Sequence, residues 1–480
     1  MISRIRAKRR GSPNPLVGAL AIVAALAASC SAVTGGDGVV DARAGLPTTT
    51  APQTTETSPG AGRDGATPTS SDDLDIPLTT QDRPTTTEST DQAPPADVPE
   101  PVTTPPPSAG AWGEVVVLIE SFWDENFTQF AGSGSFEPLD RDRIVAVSDQ
   151  TRDLPACDLA NISARDVEDN AFAAVCPEGQ LVVWDDDDLF AELFDQYGVT
   201  GPTVVLAHEM GHAAQFQAGF INNPTLILEQ QADCVAGAYA AWAAERSIAP
   251  FDTAAGLDAA VGATVSFRDH PGSSAADSQA HGSGFDRVRA FQDGFDRGVG
   301  YCAQYPELSL PITEFPFSTF EEAQSGGNLP FNDLISLVSP YLNSVYADLN
   351  DDWQAMELSA GDLDGWRNAH RSIGDNATGT AMGLMFAKRH QVLNNLPSEG
   401  EGALLQQACL TGAAFAPLVF FDERISPDNL SLSPGDMDEA VLTMIRIVET
   451  NQDRLGDGFL FEAVAALRTG FTEGFDSCDP

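Results

Sequence analysis

The sequence predicts an α+β fold that is predominantly helical, built from one unit repeated in tandem and preceded by a disordered stalk. Apolar residues recur with helical spacing through most of the chain after residue 113. The segments "RIVAVSD" and "QLVVWDD" are the best strand candidates, which predicts only a small sheet. Two stretches, 281–302 and 457–478, share glycine, phenylalanine and cysteine positions. Together these observations indicate a repeated helical unit with a minor β component.

Residues 1–30 are typical of an export signal. The basic stretch "MISRIRAKRR" is followed by an apolar run that ends in small residues at "LAASC". Small residues directly before Cys30 resemble the lipobox of bacterial lipoproteins, which predicts a lipid on Cys30 and anchoring at the outer face of the cell membrane. The alternative is ordinary signal cleavage and release of the protein.

Residues 31–111 are rich in threonine, proline and acidic residues. Such a segment lacks the apolar residues needed for a core, so we expect a disordered stalk. The whole chain carries a net charge of −45. This charge repels nucleic acid phosphates, and nucleic acid is therefore excluded as a partner.

The internal similarity divides the folded region. "HGSGFDRVRAFQDGFDRGVGYC" aligns without gaps with "DGFLFEAVAALRTGFTEGFDSC", at an offset of 478 − 302 = 176 residues. The matches predict a first copy at 113–302, a linker at 303–330 and a second copy at 331–478. The alternative is a chance similarity between amphipathic helices.

The repeat also predicts the cysteine pairing. If Cys30 carries lipid, six cysteines remain, and in an exported protein they are expected to form disulfides. Equivalent positions in the two copies predict the pairs Cys234–Cys302 and Cys409–Cys478. The third pair is then Cys157–Cys176.

The stretch "LAHEMGHAAQ", residues 206–215, lies in a predicted helix. His208 and His212 are four residues apart, so they share one helix face and can bind one zinc ion. Glu209 follows the first histidine directly and is placed to take a proton from water.

A second predicted helix, containing "LEQQADC", follows after a short loop. An antiparallel hairpin would return Glu229 to the histidines as a third ligand. Asp233, four residues later, would orient a ligand histidine through its other nitrogen. Three protein ligands and one open position are typical of catalytic zinc. Taken singly, each of these residues is more commonly an ordinary core or surface residue of a helix.

These motifs, in series with "HGSGFDRVRAFQDGF", resemble the neutral zinc metallopeptidase family of bacterial envelope proteins. The resemblance covers most of 113–302 and implies a zincin-like fold and hydrolysis of a peptide or protein substrate. It implies that Zn²⁺ is bound by His208, His212 and Glu229, with Glu209 as the catalytic base and Asp233 as the partner of a ligand. The family often has a further histidine where this chain has Ala213.

His281 is a further candidate catalytic residue, because it could donate a hydrogen bond to an oxyanion. The alternative is a structural histidine at a helix start. Aligning "GPTVVLAHEMGH" with "GTAMGLMFAKRH" places Phe386 and Ala387 opposite His208 and Glu209, and leaves only His390. The second copy is therefore predicted to be non-catalytic. The rival interpretation of the whole chain is a non-enzymatic envelope lipoprotein that serves as a binding scaffold.

Overall fold

The computed structural model describes residues 109–148, 173–176, 181–277, 280–419 and 430–478, together with 151, 154 and 164. The fold is predominantly helical with one small sheet, as predicted. The predicted signal, Cys30, nearly all of the stalk and Cys157 lie outside the described residues. The first described helix begins at Ala109, four residues before the predicted start of the folded region.

The elements follow one another in two helical groups. In chain order they are α1 Ala109–Ala131, β1 Ile144–Val147, β2 Ala173–Cys176, β3 Leu181–Asp185, α2 Leu189–Tyr197, α3 Thr200–Ala218, α4 Thr225–Glu245, α5 Ala254–Ser266, α6 Gly284–Arg297, α7 Val299–Cys302, α8 Phe320–Ser325, α9 Phe331–Leu349, α10 Ala360–Ser372, α11 Asp375–Leu393, α12 Glu401–Val419, α13 Asp436–Thr450 and α14 Phe459–Glu473.

The sheet has three strands in the order β1-β3-β2. Strand β1 pairs with β3 in parallel, and β2 pairs with β3 antiparallel at the other side. Both predicted strands, β1 and β3, are confirmed. Strand β2 was not predicted, because its four residues carry no alternation that separates them from a loop.

Helices α3 and α4 form an antiparallel hairpin at the centre of the first group. Gly219 ends α3 with a positive φ of 82°, a conformation that glycine adopts without strain. Nearly all residues of both helices are buried, which explains why neither shows a polar face. Because the hairpin is central, its side chains are held rigidly by packing on both sides.

Two helix crossings in the chain are alike. A Cβ atom on Gly237 of α4 would lie 1.8 Å from the Phe291 carbonyl oxygen of α6, and one on Gly412 of α12 would lie 1.9 Å from that of Leu467 in α14. Each crossing therefore depends on a glycine. A disulfide accompanies each, with S–S distances of 2.09 Å for Cys234–Cys302 and 2.06 Å for Cys409–Cys478. Both pairings are those predicted, whereas Cys157–Cys176 stays a prediction.

The hydrogen bonds of the two hairpins also correspond. The Gln215 amide donates to the Leu228 carbonyl and to Gln231, and the Gln391 amide donates to the Ala403 carbonyl and to Gln406. Gln215 and Gln391 are 391 − 215 = 176 residues apart, and this contact sets the register between α3 and α11. The sequence alignment of His208 with Phe386 is therefore wrong, displaced by two residues.

The two groups of helices pack against each other through reciprocal contacts. The ring of Phe285 contacts that of Phe471, and Phe295 contacts Phe461, each at a centroid distance of 5.1 Å. Phe285 and Phe295 are the positions equivalent to Phe461 and Phe471 at the offset of 176. These two contacts join the first helical group to the second through α6 and α14.

Two carboxylates repeat this reciprocity. Asp258 of α5 accepts hydrogen bonds from the backbone N–H groups of Gly458 and Phe461, at the start of α14. Asp438 of α13 accepts from the backbone N–H of Phe285, at the start of α6. Each half of the chain therefore supplies the negative group that stabilises the N-terminus of a helix in the other half.

The predicted linker at 303–330 is partly built into this interface. Thr313 and Glu314 are buried, and the backbone N–H of Thr313 donates to Asp286 of α6. Among the described helices, α12 is long and apolar enough to cross a membrane. It is mostly buried and carries the disulfide-bonded Cys409, which is typical of a core helix.

Candidate metal centre

Three side chains predicted to bind zinc converge between α3 and α4. The Nε2 atoms of His208 and His212 lie 3.1 Å apart. The Glu229 carboxylate lies 3.2 Å from His208 Nε2 and 3.3 Å from His212 Nε2. Helical spacing places the histidines on one face, and the hairpin returns Glu229 to them. The structure therefore brings together all three predicted ligands.

The tautomer of His208 is fixed by a buried ion pair. Its Nδ1 lies 2.7 Å from Asp233 Oδ1. Arg287 donates to both Asp233 oxygens, from Nε and Nη2, at 2.9 Å each. A carboxylate so held can only accept, so His208 Nδ1 carries the proton. Its Nε2 therefore faces Glu229 and His212, and it offers a lone pair once its proton is replaced by a metal ion.

The tautomer of His212 is fixed in the same way by an amide. Its Nδ1 lies 2.8 Å from Gln215 Oε1. The Gln215 nitrogen already donates to Leu228 and Gln231, so its oxygen must face the ring. Nδ1 of His212 is consequently the donor, and Nε2 is left as an acceptor.

These contacts leave two imidazole lone pairs and a carboxylate facing one another. Glu229 Oε2 is buried, and His208 Nε2 lies 3.2 Å from it. Two imidazole nitrogens and a carboxylate within 3.3 Å of one another need a positive charge between them, which a proton on His208 supplies in the absence of metal and a metal ion would supply when bound. Two imidazole nitrogens and one carboxylate are a ligand set that suits Zn²⁺, so these residues fit the ion.

The surrounding charges favour a cation at the same point. Burial lowers the pKa of His208, but Asp233 and Glu229 outweigh it and raise that pKa to about 10. Burial raises the pKa of Glu229, but His212 and His281 hold it well below its usual range. A metal ion bound here would replace a proton, as is general for histidine ligands.

Glu209 lines an open cleft beside the ligands. The cleft is open to solvent, and its apolar wall includes Leu189, Val204 and Phe267. Burial raises the pKa of the Glu209 carboxyl, and the neighbouring histidines oppose that shift. A carboxylate with a raised pKa is the better proton acceptor, which suits the role predicted for Glu209.

His281 lines the same cleft. Asp269 holds it in place: Asp269 Oδ2 accepts from the backbone N–H groups of His281 and Gly282, and Oδ1 lies 3.3 Å from His281 Nδ1. Burial lowers the pKa of His281, but Glu229 and Asp269 outweigh it and raise it. Asp269 therefore orients the ring through Nδ1, which leaves the Nε2 side of the ring without a contact to Asp269.

Three residues of the site were not assigned roles from the sequence. Gln215 and Arg287 fix the two ligand tautomers, and Asp269 orients His281. Gln215 follows His212 by three residues on one helix, and Arg287 lies within the "HGSGFDRVRAF" motif. The sequence could have pointed to Gln215 and Arg287 through these positions. It could not have pointed to Asp269, because the contact of Asp269 with His281 depends on how the loop before α6 folds.

The second half has no corresponding centre among its described residues. The register of the hairpins places Leu384, Met385 and Lys388 at the positions of His208, Glu209 and His212. The sequence alignment placed His390 opposite His212, but in the register of the hairpins Lys388 occupies that position. Leu404 occupies the position of Glu229. This set of side chains offers zinc no ligand.

The variant Arg287→Lys tests whether the contact of Arg287 with Asp233 supports zinc binding. Lysine keeps the charge but cannot bind both Asp233 oxygens, so His208 loses its fixed orientation. We expect zinc affinity to fall about 10-fold to 100-fold, as measured by competition with a chromophoric chelator. Arg289→Lys, which alters a buried arginine of the same helix bonded to Gln230, is the matched control. Equal losses in both variants would contradict a specific role for Arg287.

Comparison of the chain with protein-family models, with curated proteins and with solved structures found no match in any of the three.

Proposed function

We propose that the chain is an exported zinc-dependent peptidase, of the zincin-like kind found in the neutral zinc metallopeptidases that its motifs resemble. The observation that carries the proposal is the convergence of two imidazole Nε2 atoms and the Glu229 carboxylate, while Asp233 and Gln215 hold the opposite ring nitrogens. The adjoining cleft, which is lined by His208 and Glu209, would admit the substrate.

The chemistry divides between the metal and the chain. Zinc bound by His208, His212 and Glu229 would polarise the scissile carbonyl and lower the pKa of water. Glu209 accepts the proton from the attacking water and delivers it to the leaving amine. The apolar wall of the cleft excludes bulk water from the reacting groups and accommodates an apolar substrate side chain.

His281 stabilises the oxyanion in this proposal. Asp269 engages its Nδ1, and Glu229 and Asp269 raise the pKa of the ring above its ordinary value. In the protonated ring, Nε2 would donate to the developing negative charge. The same clamp also holds the loop before α6, so His281 has a structural contribution as well.

The second candidate function is a non-enzymatic envelope scaffold that uses zinc structurally. A structural site is closed by four protein ligands. Within the described part of the chain, the group that could hold a metal at this point consists of His208, His212 and Glu229. Three ligands beside an open cleft favour the peptidase.

The test is metal analysis of the purified chain together with digestion of a denatured protein and a peptide mixture. We expect about one zinc per chain, cleavage that stops on chelation, and recovery when zinc is restored. Absence of zinc binding would refute the proposal. Zinc binding without cleavage of any peptide would favour the scaffold.

We also propose that residues 331–478 are a degenerate second copy of the unit, and that lipid on Cys30 anchors the chain to the cell membrane. The duplication is supported by the matching glycine crossings, disulfides and glutamine contacts. The second copy would support the metal centre structurally. Asp438 of α13 accepts a hydrogen bond at the start of α6, and α6 carries Arg287.

The variants Asp438→Ala and Asp258→Ala test that role as a matched pair. Each removes a cap on a helix of the opposite half, so we expect each to lower stability by about 1–2 kcal/mol. Only Asp438→Ala disturbs α6, so it alone should weaken zinc binding. It alone should also lower kcat when activity is measured at a temperature well below the melting temperature. Equal activity of the two variants would show that the second half does not support the centre.

A further inference from the structure

The Cys234–Cys302 disulfide joins α4 to α7, the short helix that follows α6. Cys302 makes a second contact with α4, because the Gln231 side-chain nitrogen donates to the Cys302 carbonyl oxygen at 3.0 Å. Gln231 and Cys234 are three residues apart and so lie on one face of α4. All three residues are completely buried. Cys302 is therefore held through both its sulfur and its carbonyl, with no competition from water.

A chain of buried hydrogen bonds leads from Cys302 to His212. A carbonyl oxygen can only accept, so the nitrogen of the Gln231 amide faces Cys302 and its oxygen faces Gln215. The Gln215 nitrogen donates to that oxygen at 3.0 Å, and the Gln215 oxygen lies 2.8 Å from His212 Nδ1. The Leu228 carbonyl, a second acceptor for the Gln215 nitrogen, acts in the same sense. The Cys302 carbonyl thus sets a direction that both amides pass on to the ring.

The second half contains a similar hydrogen-bond chain that ends differently. The Gln406 nitrogen donates to the Cys478 carbonyl at 3.0 Å, and its oxygen accepts from Gln391 at 2.8 Å. The Gln391 oxygen then accepts from Gln407 at 2.7 Å. This chain therefore closes on a neighbouring amide of α12 and reaches no histidine.

A single position accounts for the different ends. The register that places Leu404 at the position of Glu229 also places Gln407 at the position of Ala232. The Ala232 side chain is a methyl group and cannot donate a hydrogen bond. The Gln215 oxygen is therefore left to the His212 ring, in the half that carries the metal ligands.

We propose that the Cys234–Cys302 disulfide positions His212 for zinc binding, through Gln231 and Gln215. The inference rests on the zinc centre of the proposed function. Gln231 and the two cysteines are positioning residues, because they act on the ligand through Gln215. A proton held on Nδ1 keeps Nε2 for the metal, and the orienting partners of ligand histidines contribute to metal affinity. Without the disulfide, α7 can move away from α4 and the carbonyl that orients Gln231 is lost.

The first experiment compares two double variants of the full chain, Cys234→Ala/Cys302→Ala and Cys409→Ala/Cys478→Ala. The two disulfides join residues 68 and 69 positions apart, so their removal should lower the melting temperature by similar amounts. We expect only the first variant to lose zinc affinity, by about 10-fold, in competition with a chromophoric chelator at a temperature where all variants are folded. Equal losses in the two variants, or no loss in the first, would overturn the proposal.

The variant Gln231→Met keeps the disulfide and removes both hydrogen bonds of the Gln231 amide, and Gln406→Met is its matched control. Zinc affinity should again fall in the first variant alone. A decrease of equal size in Gln406→Met would show that the loss is a general effect of removing a buried amide, and would refute the role of Gln231.

The ring of His212 gives a readout that needs no metal. In the metal-free chain with isotope-labelled histidine, at a pH where the ring is neutral, NMR should show the His212 proton on Nδ1. In Gln231→Met we expect a mixture of the two ring forms, and in Gln406→Met the wild-type form. An unchanged ring in Gln231→Met would overturn the proposal, whereas failure of the wild type to bind zinc would refute the peptidase.

Discussion

Replacing Glu209 with glutamine is expected to leave zinc binding intact and to lower kcat/KM by about 10²–10⁴-fold, the usual contribution of a general base. Glutamine has nearly the same shape but cannot accept a proton from water. Burial already disfavours the charged carboxylate, so a neutral side chain costs less to desolvate. The variant should therefore fold at least as stably as the wild type.

Zinc content, melting temperature and peptide cleavage are to be measured on the same preparation of Glu209→Gln. Glu245→Gln, at the exposed end of α4, is the control for loss of a glutamate charge. Cleavage near the wild-type rate would exclude Glu209 as the base. Loss of zinc would instead show that Glu209 acts as a ligand.

Replacing Gly237 with alanine is expected to destabilise the protein by about 3–5 kcal/mol, in the range reserved for severe core defects. The new Cβ would lie 1.8 Å from the Phe291 carbonyl oxygen and 2.7 Å from its carbon. Both atoms belong to the backbone of a buried helix, so α4 and α6 must move apart. That movement also separates Asp233 from Arg287, and zinc affinity should fall.

Chemical denaturation measures the loss in Gly237→Ala, and Gly365→Ala is the control. Gly365 lies inside α10, and a Cβ added there would have no neighbouring atom within 4 Å. Alanine at this position should therefore raise the free energy of unfolding by about 0.5–1 kcal/mol, because its helix propensity is higher than that of glycine. Gly412→Ala, with its contact at 1.9 Å, should resemble Gly237→Ala in stability. A loss below about 1 kcal/mol in Gly237→Ala would contradict the close crossing.

The sequence carried enough information to predict the hairpin and its ligands, because both depend on local spacing. His208 and His212 share a helix face by periodicity, and Glu229 needed only a short connection between two helices. The two described disulfides were predictable because glycine and cysteine positions recur in register. Helices α3 and α4 began and ended close to the bounds predicted from their length and the residues that flank them.

Contacts between distant segments were not predictable in the same way. The contact of Asp269 with His281 depends on how a loop folds, and the contact of Asp438 with the start of α6 joins residues that share no motif. The sequence alignment of α11 with α3 was displaced because Leu384 and Lys388, which match His208 and His212 in the hairpin register, do not resemble the motif. Only the contact of Gln391, a buried hydrogen bond, identified the correct alignment.

The exchanged contacts of Phe285 with Phe471 and of Phe295 with Phe461 join the two helical groups. If the halves are two copies of one unit, as proposed above, these contacts correspond to those of a homodimer joined into one polypeptide. A joined pair of that kind would need a single working centre, so its other member could lose the metal ligands while it keeps the surface on which its neighbour rests.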